Sequence, residues 1–235
     1  VAYKFDSDGI LEAPDEVDDL GKVDMEQKSD KPTWVADISY KPTTDSMVYA
    51  KYSRGYRQGS VNPAGQHPAQ NAQDDVRIDI HGPEKVDTYE IGSKLSFDGR
   101  FPGIFNVAAF YNDFRDQQLQ QGLLTSNGTG STAIVNAGKS RIWGVEIETN
   151  VNVTDNLQVG LAYTYLNTEV LELEDFSALV AGAGATPAAL STSEGEELPY
   201  SPQNQAVVNA RYSVPVPADY GDVELGATYV YFSDQ

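Results

Sequence analysis

Two acidic side chains, Glu146 and Glu148, form the most suggestive arrangement for chemistry in this sequence. Two residues apart on a β-strand, their carboxylates would lie on one face about 7 Å from each other, a separation that suits general acid and base catalysis. No Ser-His-Asp set, phosphate-binding glycine loop or nucleotide fingerprint can be assembled from the sequence. We therefore expect no enzyme and interpret the two glutamates as filling of a polar interior.

Metal and cofactor chemistry has few candidate ligands. The sequence has no cysteine, which excludes a thiolate metal site and a disulfide framework, and its two histidines are His67 and His81. Acidic clusters within 15–19 and 194–197 offer hard oxygen ligands for Ca²⁺ or Mg²⁺, but no segment fits the EF-hand loop pattern. We expect neither a metal site nor a cofactor.

The overall charge excludes a further class of protein. The 235 residues include 35 acidic and 16 basic side chains and have a net charge of −19, which repels the phosphate backbone of nucleic acids. Three long segments that we predict to be loops hold 10 acids against 3 bases (6–33), 4 against 3 (57–86) and 6 against 0 (171–202). We expect these loops to form a solvated acidic rim at one end of the molecule.

Polar and apolar residues alternate along most of the chain, most clearly over 143–151 and 157–165. A period of two indicates strands with one apolar and one polar face, so we predict an all-β protein. The connections alternate between short turns and long loops, with one further hairpin at 125–131. The predicted strands are 1–5, 34–41, 47–56, 87–97, 104–124, 132–152, 157–170, 203–214 and 222–232.

The two strands beside the 125–131 hairpin are unusually long. At about 3.3 Å per residue, 21 residues reach about 70 Å, or about 50 Å of height at a tilt of 45°, which exceeds a hydrocarbon layer of about 30 Å. Short turns at one end and long loops at the other are typical of a transmembrane antiparallel β-barrel. A soluble β-sandwich also alternates its faces and remains the alternative at this point.

Four distinctive sequence blocks follow one another over about 100 residues. They are VYAKYSRGYRQG (48–59), PEKVDTYEIGSK (83–94), AAFYNDFRDQ (108–117) and NAGKSRIWGVE (136–146). Together they resemble the β-barrel of TonB-dependent outer-membrane receptors. The resemblance implies about nine strands of a 22-stranded barrel in the outer membrane of a Gram-negative bacterium. It also implies that residues 1–235 are a partial barrel domain, without the plug domain and the N-terminal barrel strands.

The same resemblance implies a function. Receptors of this kind actively import a scarce ligand, most often a ferric siderophore, with energy that the TonB-ExbB-ExbD complex delivers through the plug. The further partners would be outer-membrane lipid and lipopolysaccharide. A passive porin-like channel and a soluble carbohydrate-binding β-sandwich remain as alternatives.

Position and parity nominate site residues. Lys51 falls on the parity opposite Val48 and Ala50 and should face the lumen, because a lipid-facing lysine at mid-strand costs about 2 to 4 kcal/mol. Arg57 and Asn136 lie near the outer mouth, where anionic iron chelates would arrive. We expect these three residues to bind substrate. The residues that we expect to face the lumen or the plug are Lys94, Glu146, Glu148 and Arg211.

Overall fold

The computed structural model describes residues 28–62, 80–125, 130–136, 138–173, 185–187, 193–217, 219 and 221–234. Throughout these ranges, no helix has the length and apolarity that crossing a membrane requires. The strands are β1 (Trp34–Thr43), β2 (Ser46–Arg57), β3 (Ser60–Val61), β4 (Ile80–His81), β5 (Glu84–Phe97), β6 (Gly103–Arg115), β7 (Gln118–Thr125), β8 (Gly130–Asn136), β9 (Gly138–Asn152), β10 (Leu157–Leu173), β11 (Ala185–Pro187), β12 (Asn204–Val214) and β13 (Val223–Phe232).

Eight strands form one antiparallel sheet in the order β1-β2-β5-β6-β9-β10-β12-β13, which we call the wall. Short connections at 44–45, 98–102, 153–156 and 215–222 join its strands in pairs at one end, the short-turn end. The opposite end, the loop end, carries the long connections and two small sheets, β3-β4 and β11-β7-β8. The antiparallel pairing and the alternation of short and long connections confirm the predicted topology. The eight strands form an open sheet and do not close into a full barrel.

Six of the predicted strands are confirmed to within three residues at each end, because period-two alternation follows the pleat of the wall directly. The predicted strand at 1–5 and the acidic cluster at 15–19 lie outside the described residues. The predicted loops at 57–86 and 171–202 contain the short strands β3, β4 and β11.

The prediction of continuous strands at 104–124 and 132–152 is wrong. Both are interrupted, between β6 and β7 and between β8 and β9. Asp116 adopts a left-handed φ of 54° and Gly138 a φ of 131°, and the Gln117 backbone N–H donates to the Gly138 carbonyl at 3.0 Å across the break. The outer hairpin β7–β8 therefore leaves the wall and pairs with β11 in a sheet of its own.

No second layer from the described part of the chain packs on the apolar face of the wall. Trp143 and Leu161, which a sandwich would bury, are 38% and 37% exposed. Among the described residues, the buried hydrophobic side chains are Ala133, Val135 and Val170, all toward the loop end. Such an apolar face is stable against lipid rather than water. This arrangement disfavours the soluble β-sandwich, and we call the apolar face the outer face and the polar face the inner face.

Candidate functional site

A polar cluster occupies the inner face where β2 pairs with β5. Lys51 lies directly opposite Glu90, and its Nζ donates to Glu90 Oε2 at 2.8 Å. The Tyr49 hydroxyl donates to Glu90 Oε1 at 2.7 Å. The Tyr49 ring lies over Gly92, where a Cβ atom would come within 2.6 Å of it. Both oxygens of Glu90 are thus held, and the charge of Lys51 is neutralised within the wall.

Three of the sequence-predicted residues, Lys94, Glu146 and Glu148, come together beside this cluster. They line an open cavity of about 320 Å³ on the inner face. Asn106 lies between Lys94 and Glu148 in the register and donates from Nδ2 to Glu148 Oε2 at 3.3 Å. The Lys94 amine is 6.0 Å from the centre of the Tyr49 ring. An amine, an amide and two carboxylates can bind a partner through charge and hydrogen bonds.

Arg211 lies on β12, apart from that cavity. It is paired in the register with Gln158 of β10 and Gly226 of β13, nearer the short-turn end, and it is exposed. The fold therefore brings three of the four predicted lumen-facing residues together and leaves Arg211 alone on a neighbouring stretch of wall. Within the described ranges, no group of three or more His, Cys, Asp or Glu side chains is placed to hold a metal ion.

Arg57 lies at the loop end of β2. Its Nη2 donates to Glu84 Oε2 at 2.8 Å and to the Gln118 carbonyl at 3.1 Å. The backbone N–H of Gln118 donates to the same Glu84 oxygen at 2.8 Å. The Arg57 side chain remains 56% exposed. The guanidinium is thus fixed in orientation and still open to solvent at the outer mouth.

Asn136, at the end of β8, uses its amide to hold backbone. Its Oδ1 accepts from the Gly82 N–H at 2.6 Å, and its Nδ2 donates to the carbonyls of Gly82 at 3.0 Å and Asp116 at 2.7 Å. Gln118 Nε2 donates to the Gly82 carbonyl at 2.9 Å and to the Gln58 carbonyl at 3.0 Å. These contacts hold together the segment that precedes β5, the segment that follows β6 and the end of β8.

A second cavity, of about 400 Å³, opens at the loop end beside Arg57 and is lined by residues of β7 and β8. Buried Asn62 closes it by bonding the Ile134 backbone, accepting from N–H at 2.8 Å and donating to the carbonyl at 2.9 Å. His81 is buried nearby in β4. Burial, and secondarily the positive charge of Arg57, lowers the pKa of the His81 imidazole. The cavity is therefore lined by one exposed cation, Arg57, and the lowered pKa of the nearby His81 favours its neutral form.

The outer face carries an ordered row of aromatic side chains. Tyr52, Tyr89, Tyr111 and Trp143 lie opposite one another on β2, β5, β6 and β9. The first two rings stack with centroids 5.0 Å apart, and Trp143 meets Tyr165 of β10 at 5.6 Å. Rows of this kind mark the boundary between hydrocarbon and headgroups in membrane barrels.

An antiparallel wall with an uncovered apolar outer face, an aromatic row and a polar inner face defines a transmembrane β-barrel protein of the outer-membrane class. A family model described as "TonB dependent receptor-like, beta-barrel" matches residues 3–235. The chain belongs to this family, which confirms the predicted resemblance. The family is one of transport receptors, and its homologues are outer-membrane proteins of Gram-negative bacteria.

Two curated relatives are similar over part of the chain. The "Probable TonB-dependent siderophore receptor PiuA" of Acinetobacter baumannii is 27% identical over 143 residues, which are 60% of this chain and 18% of PiuA. The "Ferric-pyoverdine M114 receptor PbuA" of Pseudomonas sp. strain M114 is 37% identical over 89 residues, which are 37% of this chain and 10% of PbuA. The chain thus spans less than a fifth of the length of either relative.

Solved structures show the same fold. The siderophore receptor PiuA from Acinetobacter baumannii matches with a TM-score of 0.56 and 22% identity, covering 85% of this chain and 26% of that one. The ferric yersiniabactin uptake receptor FyuA from Yersinia pestis matches with a TM-score of 0.55 and 20% identity, covering 81% and 24%. The eight-stranded wall therefore has the fold of about a quarter of each of these two chains.

Sequence reasoning missed the residues that hold the predicted ones. Three of them lie on the same inner face as Lys51: Tyr49 on its own strand, and Glu90 and Gly92 on the neighbouring strand. The alternation of the sequence alone predicts this face for all three. Glu84 and Gln118 hold Arg57 from 27 and 61 positions away, a relation that appears only once the strand register is known.

Proposed function

We propose that the receptor containing this barrel segment imports a ferric siderophore across the outer membrane, with energy from the TonB-ExbB-ExbD complex. The observation that carries the proposal is the match of residues 3–235 to the receptor barrel family. The relatives named as siderophore and ferric-pyoverdine receptors support the ligand class. In this proposal, residues 1–235 belong to the barrel domain, the plug lies outside them, and outer-membrane lipid and lipopolysaccharide surround the wall.

The inner face supports the placement of the plug. A plug needs polar contacts that can break and re-form during transport, and the open cavity beside Lys94, Glu146 and Glu148 offers charges of both signs. Arg211 extends this polar face toward the short-turn end. Lys51 already has a carboxylate partner in Glu90. In this proposal, the Lys51 ammonium contacts substrate only while it is shared between Glu90 and the substrate.

The outer mouth supports the capture of an anionic chelate. Arg57 presents an oriented and exposed guanidinium beside the cavity at the loop end, a suitable partner for hydroxamate, catecholate or carboxylate oxygens. Asn136 acts on the ligand indirectly in this proposal, because its amide holds the surrounding backbone.

Iron uptake in living cells tests the proposal. We expect cells lacking the full-length gene to lose growth under iron limitation with one ferric siderophore and to lose uptake of its labelled iron. The full-length gene should restore both, and deletion of TonB should abolish both. Uptake that persists without TonB would favour the passive channel instead, and chemical alteration of the recovered siderophore would contradict a purely transporting role.

A further inference from the structure

An arginine without an ion pair lies on the inner face near the short-turn end. Arg211 of β12 is directly opposite Gln158 of β10 and Gly226 of β13, three residues before β12 ends at Val214. It is exposed, and no carboxylate of the described residues pairs with it, including that of Glu224, two residues from Gly226 on β13. Because a guanidinium has five N–H donors, Arg211 presents strong donors to the lumen.

Three further cations of the inner face have carboxylates beside them. Lys51 and Arg57 each pair with a glutamate of the neighbouring strand at 2.8 Å. Lys94 shares its cavity with Glu146 and Glu148. The sequence holds 35 acidic against 16 basic residues, so a shortage of carboxylates does not explain the unpaired arginine. The wall leaves this positive charge available for a partner from outside it.

Uncharged amides are the neighbours of Arg211 on the inner face. Gln158 is directly opposite, and Asn209 lies two residues away on the same strand and the same face. The side chains of Asn209 and Asn150 occupy the place that a Cβ atom of Gly160 would take, so both amides lie on this face. Amides hydrogen-bond an anion without neutralising it, and a site of moderate strength lets a permeating ion leave again. These surroundings therefore suit an anion that binds transiently.

Gly226 leaves space beside Arg211. A Cβ atom at this position would be 4.0 Å from its nearest neighbour, the Ala210 carbonyl oxygen. A solute can therefore approach the guanidinium from the β13 side. Arg57 is exposed at the loop end and Arg211 near the opposite end, so the inner face has an exposed arginine toward each end.

We propose that Arg211, with the amides of Gln158 and Asn209, is a second binding site for the anionic oxygens of the imported chelate, on its way to the short-turn end. Carboxylate and catecholate oxygens are the ligand chemistry that a guanidinium binds through two parallel hydrogen bonds. The inference rests on the proposed function and adds an exit site to it. It assigns Arg211 a transient ligand rather than a carboxylate of the plug.

Uptake kinetics of the full-length receptor in cells test the site, with the iron-labelled siderophore that supports growth in the experiment above. Arg211→Gln should lower the maximal uptake rate by about tenfold, because the anion loses a charge-assisted hydrogen bond before it leaves. The Kd at the outer mouth should stay unchanged, since Arg57 is intact. Arg211→Lys should keep most of the rate. The control Arg100→Gln removes an exposed cation of the 98–102 connection and should keep the full rate.

A second variant blocks the site without removing its charge. Gly226→Leu fills the space beside Arg211 and should also lower the maximal rate. Its matched control is Ala227→Leu, which adds the same side chain to the outer face one residue further along β13 and should keep the rate. Thermal unfolding in detergent should be the same for both variants, which separates a blocked site from a damaged fold.

Modification of arginines by phenylglyoxal in the purified receptor, measured by mass spectrometry, separates the chelate from the plug as the partner of Arg211. We expect Arg211 to react about as fast as Arg100. An unreactive Arg211 would show that the plug already holds it and would overturn the proposal. A normal uptake rate in either Arg211→Gln or Gly226→Leu would overturn it as well. A wild-type receptor without siderophore uptake would instead overturn the proposed function and, with it, this site.

Discussion

Asn136 and Gly82 are joined by a pair of hydrogen bonds between one side-chain amide and one residue's backbone, at 2.6 Å and 3.0 Å. The same Asn136 Nδ2 also donates to the Asp116 carbonyl at 2.7 Å. Gly82 precedes β5 and Asp116 follows β6, so one side chain connects two outer segments that are distant in sequence. The shape of the outer mouth therefore depends on this amide.

Asn136→Ala removes all three hydrogen bonds. We expect about 2 to 4 kcal/mol of local stabilisation to be lost at the loop end, because each bond contributes about 1 kcal/mol and two backbone carbonyls lose a partner. Limited proteolysis and hydrogen exchange of the full-length receptor should show the loss around 115–138, with the wall protected as before. Asn136→Asp keeps the acceptor for the Gly82 N–H but turns a carboxylate oxygen toward the carbonyls of Gly82 and Asp116, so it should lose at least as much protection as Asn136→Ala. Identical protection in all three proteins would contradict the role of Asn136.

Arg57→Gln removes the exposed cation at the outer cavity. We expect affinity of the full-length receptor for the ferric siderophore to fall by about tenfold, the loss of one charge-assisted hydrogen bond to an anion. Isothermal titration measures the change. Arg57→Lys should restore part of it, and Arg100→Gln at the short-turn end serves as the control. An unchanged Kd for Arg57→Gln would show that Arg57 only supports Gln118.

Because His81 is buried, we expect the stability of the segments at the outer mouth to depend on pH. Burial lowers the pKa of His81 below its ordinary value of 6.5, so the neutral imidazole is favoured in the folded state. Its stabilising contribution is fully present above pH 6.5 and is lost as pH falls through the lowered pKa. Protease cleavage of the outer segments should therefore increase on acidification. His81→Gln should flatten that increase, while His67→Gln, which changes the other histidine of the sequence, should keep it.

The space around Gly144, in the middle of the wall, is too small for a larger side chain. A Cβ atom there would lie 2.8 Å from the Phe110 ring and would overlap the Tyr165 carbonyl oxygen. Gly144→Ala should destabilise the folded receptor by about 1 to 3 kcal/mol, the usual cost of overpacking. Thermal unfolding in detergent measures the loss. Gly226→Ala is the matched control, because its nearest neighbouring atom is 4.0 Å away. Equal stability of the two variants would refute the steric explanation.

Alternation along the sequence predicts the wall well because each strand has one apolar and one polar face. Trp143 and Leu161 are exposed on the outer face, as a membrane barrel requires. Parity also placed Lys94, Glu146 and Glu148 on one face, and the register brings them to one cavity. Local pattern therefore predicts faces and strands.

Cross-strand partners cannot be predicted in this way. Arg54 shares the parity of Val48 and Tyr52, and only the register shows that buried Asp87 compensates it. The position of Asn136 near the outer mouth predicts a substrate contact, whereas its observed backbone partners lie 20 and 54 residues away in the sequence. Its contact with ligand stays a prediction. The left-handed Asp116 that interrupts the long strand has no sequence signal, since aspartate is common in ordinary turns.

The interruption at Asp116 and Gly138 separates two hydrogen-bonding registers. An insertion or deletion in the β7–β8 hairpin would be absorbed at this joint and would not slide β6 against β9 inside the membrane. Hairpins of other lengths can therefore be transplanted onto the same wall, and chimaeras cut at these two residues should assemble while displaying new surfaces at the loop end.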